Sequence, residues 1–330
     1  MKKFLRITLI VIAALAVLVG GFAAVQRVVY KRSVLSGIAD AYITLAGNKK
    51  KFKTAEAADA FMEEQGEKWW DGYTIPDNVS LDCTVEEEQI AGMQVFRLNG
   101  DENELGTAVL YLHGGAYVNP PQKVQWDTCD AIATQANCEV VLPVYLTAPN
   151  FTYDECYDAL LELYDSMLTT YAPSDIVIMG DSAGGGLALG MAMWLDELGY
   201  EQPRLIVAYS PELDIALSNP DLEPYEKLDA MLAIDGIVEM GRVWAGGADP
   251  TDYRLSPIYG DASNLAPIIL FAGTRELLYP DEIKFVDQAK GQGADITYYE
   301  GENLGHCWPV YPTPEGKAAL TLVAEAITEN

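Results

Sequence analysis

The stretch that most restricts what this chain can fold into is Ile176-Val-Ile-Met-Gly-Asp-Ser-Ala-Gly-Gly-Gly-Leu-Ala-Leu-Gly190. Residues 176–179 form a short apolar, mostly β-branched run, which favours a buried strand. Residues 187–198 are rich in helix formers. Between them, Gly180-Asp181-Ser182-Ala183-Gly184 puts a serine at the apex of a sharp turn, with glycine two positions before and two after. So tight a turn holds the serine in strained backbone geometry, and only small flanking residues avoid a collision across it. The turn lifts the hydroxyl above the end of the strand. The helix that starts there aims N–H groups at any negative charge developing beside it. Strand, elbow and helix in this order predict a nucleophilic Ser182.

The rest of the chain alternates in the same sense. Strands are predicted over 108–112, 139–145, 205–209, 268–271 and 296–299, and helices over 124–135, 153–171, 182–198, 280–291 and 314–328. Such alternation predicts a mostly parallel sheet with helices on both faces. Ahead of it, 80–87 and 93–98 read as two antiparallel strands turning near Ala91-Gly92. Residues 211–262 interrupt the alternation and carry a helical piece over 228–244. An insertion there lies at the C-terminal edge of the sheet, where open α/β sheets bind ligands.

Charge and cysteine content exclude several classes. The net charge of −28 is unevenly spread: residues 1–53 hold ten of the 21 Lys and Arg against a single acid, Asp40, while residues 54–330 carry a net −37. Such a body repels nucleic acid and anionic lipid, so no nucleic-acid partner is expected. The five cysteines (83, 129, 138, 156 and 307) are scattered, with neither a C-x-x-C pair nor Cys/His ligand spacing. They argue against a zinc site and against a disulfide framework, and read as small buried hydrophobes. No metal and no cofactor are expected.

Behind the basic head Met1-Lys2-Lys3-Phe4-Leu5-Arg6, residues 7–25 run for 19 residues without a charge. That length just spans a bilayer as a helix. Residues 1–32 therefore read as a head plus an uncleaved membrane anchor, with the body outside the cytoplasm; a cleaved signal peptide and a secreted body is the alternative. Residues 33–75 read as a helical stem, with helices over 34–45 and 54–70. Lys49, Lys50, Lys51 and Lys53 between them read as a solvated loop, contact with membrane phosphates being the alternative. Trp69-Trp70 either helps cover a site or packs on the body.

Two further stretches bring chemistry to Ser182. Leu112-His113-Gly114-Gly115-Ala116-Tyr117 ends a strand, and glycines after a strand free backbone N–H groups to converge on one spot. Gly114 and Gly115, completed by the N–H of Ala183, are the expected oxyanion donors. The chain has two histidines, His113 and His306. His113 sits inside the oxyanion loop, where it holds the loop in shape. His306, on a loop after the last strand, is left as the base. The acid is expected between Ser182 and His306 after a late strand. In Phe271-Ala-Gly-Thr-Arg-Glu276-Leu-Leu-Tyr-Pro-Asp281, Glu276 lies three residues past Gly273, and Asp281 is the alternative.

With these residues in hand, the chain resembles the hormone-sensitive-lipase-like branch of α/β-hydrolases, which includes bacterial carboxylesterases. The resemblance covers roughly residues 80–325. It rests on His113-Gly-Gly-Ala, Gly180-Asp-Ser-Ala-Gly-Gly185, Gly273–Glu276 and Gly305-His306, with support from Tyr145-Leu-Thr-Ala-Pro149, Ser210-Pro-Glu-Leu-Asp214 and Ser256-Pro257. It implies an α/β-hydrolase domain over 76–330, a small helical cap built from 33–75 and the insertion 215–250, and a serine carboxylesterase of short acyl esters. It implies Ser182 as nucleophile, His306 as base, Glu276 as acid, and oxyanion donors at Gly114, Gly115 and Ala183, with His113 and Asp181 supporting. Ala116 in place of a third glycine, Glu276 in place of the usual Asp, and the N-terminal apolar segment depart from the family pattern. A deacetylase of cell-surface carbohydrate, a peptidase and a non-catalytic binding protein on the same scaffold remain the alternatives. The triad does not separate the first two from an esterase, and the sequence leaves the oligomeric state open.

Overall fold

Strands covered on both faces have no solvated side, and the central strands of this chain are apolar along their whole length. A computed structural model describes residues 2–68, 72–100 and 106–329. Eight strands form one sheet: β1 (Val85–Ile90), β2 (Met93–Leu98), β3 (Ala108–Leu112), β4 (Glu139–Val144), β5 (Ile176–Asp181), β6 (Leu205–Tyr209), β7 (Ile268–Gly273) and β8 (Ile296–Gly301). Their order is β1-β2-β4-β3-β5-β6-β7-β8. β1 and β2 are antiparallel, β2 meets β4 antiparallel, and the remaining pairings are parallel. Alternate residues bury on opposite faces. Leu110, Leu112, Ile176 and Ile178 pack under α5 (Tyr153–Leu168), α6 (Ala183–Glu197) and α9 (Tyr279–Gln292). Val109, Tyr111, Val177 and Met179 pack under α4 (Lys123–Ala136) and α10 (Pro314–Thr328).

The chain leaves β3 toward β4 on one side and returns to β5 on the other. This is a topological switch point, the position at which open α/β sheets bind ligands. Register lines up those ends: Leu112 pairs with Gly180, Asp181 with Tyr209, Tyr209 with Phe271, and Gly273 with Gly301. The residues that follow each strand therefore meet along one edge.

Two expected elements differ. The first strand begins at Val85 rather than at Ser80. After the single turn α7 (Glu223–Glu226), the helix expected over 228–244 begins only at Ile234, as α8 (Ile234–Trp244). Asp229 is the reason: its carboxylate accepts the N–H groups of Met231 and Leu232, and a second oxygen accepts that of Leu277. A side chain that takes local N–H groups offers the backbone a turn in place of a helix.

The N-terminal part is helical as expected, in α1 (Lys2–Ala24), α2 (Val34–Ala46) and α3 (Ala55–Lys68), but the single membrane span expected over 7–25 is not supported. Among the described residues no single helix is long and apolar enough to cross a membrane. One bent pair, Ala14–Val29 with Val34–Ala46, qualifies by length and composition, and its halves meet at 108°. α3 packs on α8, and Gly236 of α8 lets the two segments close: its N–H donates to Phe52 O, and a β-carbon there would stand 2.3 Å from the same oxygen. Trp69-Trp70 lies outside the described residues.

Candidate active site

Ser182 sits at φ 56°, ψ −123°, a conformation a side chain tolerates only when its surroundings force it. The forcing groups are visible. The Ser182 N–H donates to Tyr209 O at 2.8 Å, and its carbonyl accepts from Gly186 and Glu212. The two glycines of the elbow are required by space. A β-carbon on Gly180 would lie 2.2 Å from Gly184 O, and one on Gly184 would lie 1.9 Å from Leu112 O.

Three expected residues come together from three different strand ends. His306 Nε2 lies 2.9 Å from Ser182 Oγ, and His306 Nδ1 lies 2.6 Å from Glu276 Oε2. Glu276 is wholly buried, and its other oxygen accepts from Ser210 Oγ at 3.0 Å and from the Gly273 N–H. Ser210 in turn accepts the N–H of Cys307 at 2.9 Å, tying the acid to the residue after the histidine. Asp281, the alternative acid, is not in this line. It lies on the first turn of α9, where Asn219 donates to it at 2.9 Å and burial lifts its pKa to about 6.

The two histidines have opposite electrostatics. Burial depresses His113 to a pKa of about 4, so it is neutral. Its Nδ1 lies 2.9 Å from Gly114 O, its ring stacks on Tyr145 at 4.1 Å, and Tyr145 donates to its carbonyl. Those contacts brace the loop after β3. For His306, burial alone favours the neutral ring, but Cys307 Sγ at 3.4 Å and the Glu276 carboxylate outweigh it and raise the pKa well above 6.5. Burial holds the Cys307 thiol at about 11, so at neutral pH it carries no charge. The anion that supports an imidazolium here is therefore Glu276.

One expected oxyanion donor is corrected. The Gly114 N–H is already used: it donates to Asp181 Oδ1 at 3.0 Å. Tyr111 and Gln125 complete the shell of that carboxylate at 2.9 and 3.0 Å, and burial raises its pKa in spite of these donors. Asp181 thus pins the loop beside the elbow. Among the described residues the N–H groups of Gly115, Ala116 and Ala183 have no acceptor. Gly115 has φ 135° and Ala116 φ 55°, so the loop turns through the left-handed region just where its N–H groups become free.

Four side chains in or beside the site went unassigned in the sequence: Ser210, Cys307, Glu212 and Glu282. Ser210 has a readable signal, a small polar residue ending a strand next to the elbow strand. Glu282 has none and Glu212 is marked only by its place within Ser210-Pro-Glu-Leu-Asp214, because a carboxylate in a sequence reads as surface. Here both are buried. Glu212 is lifted by burial to a pKa of about 8, and Glu282 is raised well above 4.5 by burial and by the neighbouring Glu276.

A cavity beside His306 is walled by Ser36, Ala39, Asp40 and Ile43 of α2, by residues 229–231, and by the loop from Leu304 to Thr313. It is polar at Asp40 and Asp229 and apolar at Ile43, Met231 and Leu304. Among the described residues no group of His, Cys, Asp and Glu is placed to hold a metal ion.

A family model described as alpha/beta hydrolase fold matches residues 109–310, a span that contains Ser182, Glu276 and His306. An esterase of Acinetobacter venetianus is 27% identical over 248 residues, covering 73% of this chain and 82% of its own. An acetyl-hydrolase of Streptomyces hygroscopicus is 27% identical over 218 residues, 65% of this chain and 73% of its own. Among solved structures, a candidate esterase from Staphylococcus aureus superposes with a TM-score of 0.82 at 30% identity, covering 86% of this chain and 96% of that one.

Proposed function

This chain belongs to the alpha/beta hydrolase fold family, and on that premise we propose that it is a serine carboxylesterase of short acyl esters, with Ser182 as nucleophile, His306 as general base and Glu276 as the acid that orients it. The observation that carries the proposal is the continuous line Ser182 Oγ, His306 Nε2, His306 Nδ1, Glu276 Oε2 at 2.9 and 2.6 Å. Neutral His306 accepts the Ser182 proton at Nε2 as Oγ attacks the ester carbonyl. The imidazolium so formed keeps its Nδ1–H on Glu276. Charge on the carbonyl oxygen is met by the free N–H groups of Gly115, Ala116 and Ala183. His306 then gives its proton to the departing alkoxide, leaving an acyl-serine. Water repeats the sequence with the acyl group as electrophile: His306 takes the water proton and returns it to Ser182 Oγ as the acid leaves.

The choice of short acyl groups draws on the acetyl-hydrolase relative. The test is labelling of the full-length protein with a fluorophosphonate, the adduct being located by mass spectrometry. Modification at Ser182 that is lost in His306→Ala is the expected result. A folded protein left unlabelled, or labelled at another serine, overturns the reading. A panel of acetyl, butyryl and octanoyl esters, acetylated sugars and peptide amides then ranks the substrates, with acetyl or butyryl esters expected to be cleaved fastest.

A further inference from the structure

α2 is amphipathic in the wrong sense for a helix on a water-facing protein. Apart from Ile43, its inward side is polar or small. Ser36 is buried and its hydroxyl donates to Glu315 at 2.9 Å, Gly37 packs on Gln26, and Asp40 pairs with Arg32. Arg32 also donates to Asn303 O at 2.7 Å, which fastens this helix to the loop carrying His306. The outward side carries Leu35, Ile38, Tyr42 and Leu45, at spacings of three and four residues, with Tyr42 73% and Leu45 86% exposed. A stripe of that spacing faces an apolar surrounding in a stable helix. Here it faces outward.

We propose that this outward face of α2 lies on the surface of a lipid bilayer. Three observations choose a bilayer over a second copy of the chain. First, the neighbouring apolar residues of the preceding segment are exposed on all its sides: Val17, Leu18 and Val19 are consecutive, and Phe22, Val25, Val28 and Val29 follow. A partner helix covers one stripe, whereas an apolar medium covers every side. Second, the two halves meet at 108°. If 14–29 runs along the bilayer normal, α2 lies close to the membrane plane, which is the posture of an interfacial helix. Third, this end of the chain is the one part with a net positive charge. Residues 1–53 carry ten Lys and Arg and one acid, and the rest is strongly acidic. Lys50 and Lys53, just past α2, are exposed and within reach of lipid phosphates.

The docking has a consequence for the reaction. The same helix turns its lipid face outward and its Ser36, Ala39, Asp40 and Ile43 inward onto the cavity beside His306. That cavity, lined by His306 though not by Ser182, therefore lies beneath the docked helix, and esters that partition into lipid arrive beside the histidine loop without crossing bulk water. This consequence rests on the esterase reading; the docking itself does not.

The test uses the full chain bound to vesicles of phosphatidylcholine and phosphatidylglycerol. In a Cys83→Ser background, Leu45→Cys carries an environment-sensitive thiol fluorophore. Leu198→Cys, at the far end of α6 from the site, carries the same label as reference. Bilayers with brominated acyl chains are expected to quench the label at 45 several-fold more than that at 198. The same contrast is expected in Ser182→Ala, which has no nucleophile, so failure of docking and failure of the esterase reading are read separately. Equal quenching at both positions overturns the proposal, as does a protein that fails to float with the vesicles. Self-quenching between labels at 45 that persists on dilution into excess lipid also overturns it, and assigns the face to a second copy.

Discussion

Glu276→Gln is the substitution that most directly examines the assigned acid. The side chain is wholly buried and accepts from three donors: His306 Nδ1, Ser210 Oγ and the Gly273 N–H. Glutamine keeps the shape but replaces one acceptor oxygen with an NH2 group and removes the charge. If the NH2 faces Nδ1, the ring must accept there and carry its proton on Nε2, the atom that has to receive the proton of Ser182. If the oxygen faces Nδ1, the imidazolium still forms without an anion beside it in a site that excludes water. Either outcome is expected to lower kcat by about 10³–10⁴-fold, as loss of the carboxylate does in comparable triads, or roughly 4–5.5 kcal/mol of transition-state stabilisation. The pH profile supplies an independent readout. The His306 pKa lies well above 6.5 with Glu276 among its causes, and only the neutral ring serves as base. Activity in the parent protein therefore falls as pH drops through that raised value. In Glu276→Gln the acid limb moves to lower pH while the plateau collapses. Hydrolysis of a p-nitrophenyl acyl ester from pH 5 to 9, with circular dichroism to check folding, measures both. A kcat within tenfold of the parent, an unmoved acid limb, or a larger loss in Asp281→Asn would refute the assignment.

Three further outcomes follow from the buried groups. Glu212 holds its proton up to a pKa of about 8 because burial penalises the anion, whereas in the unfolded chain it ionises near 4.5. Between those values the folded state binds more protons, so stability falls as pH rises, by at most ~1.4 kcal/mol per pH unit; Glu212→Gln should match the parent Tm near pH 4 and exceed it at pH 8, and an equal difference at both pH values would contradict this. Glu282 is wholly buried with neither carboxyl oxygen bonded, and burial, reinforced by the adjacent Glu276, makes it hold a proton. Glu282→Gln, which keeps an uncharged side chain of the same volume, should keep kcat within about threefold, whereas Glu282→Ala, which leaves a cavity, should lower stability by about 2–5 kcal/mol in chemical denaturation; equal effects of the two would argue against a role in filling the core. A β-carbon at Gly184 would stand 1.9 Å from Leu112 O, while one at Gly291 of α9 meets nothing within 4 Å. Gly184→Ala should therefore lose fluorophosphonate labelling, and Gly291→Ala should raise stability by about 0.5–1 kcal/mol.

How much of this was legible in the sequence follows from how local each constraint is. The elbow needs only five residues, and the strand and helix beside it show their periodicities directly, so Ser182 could be read at once. His306 was reached by elimination, because the only other histidine belonged to a different loop. The paired choice of acid was open in the sequence because Glu276 and Asp281 lie in one turn-rich stretch. It closes in space, where one meets His306 and the other meets Asn219. The oxyanion loop shows where local reading stops. His113-Gly-Gly-Ala announces freed N–H groups, but which of them are free depends on Asp181, 67 residues away, which takes that of Gly114. The same limit explains the buried glutamates and the N-terminus. Hydropathy marks residues 7–25 as apolar but carries no sign of the bend near residue 30. It also cannot show that α2 turns its serine and its aspartate toward the protein and its leucines away. An inverted helix has the same composition as an ordinary one, and only the packing of its polar side against Arg32 and Glu315 reveals which way it faces. The N-terminal region thus ties two features together: Arg32 holds the helix to the histidine loop, and the helix carries its apolar face outward.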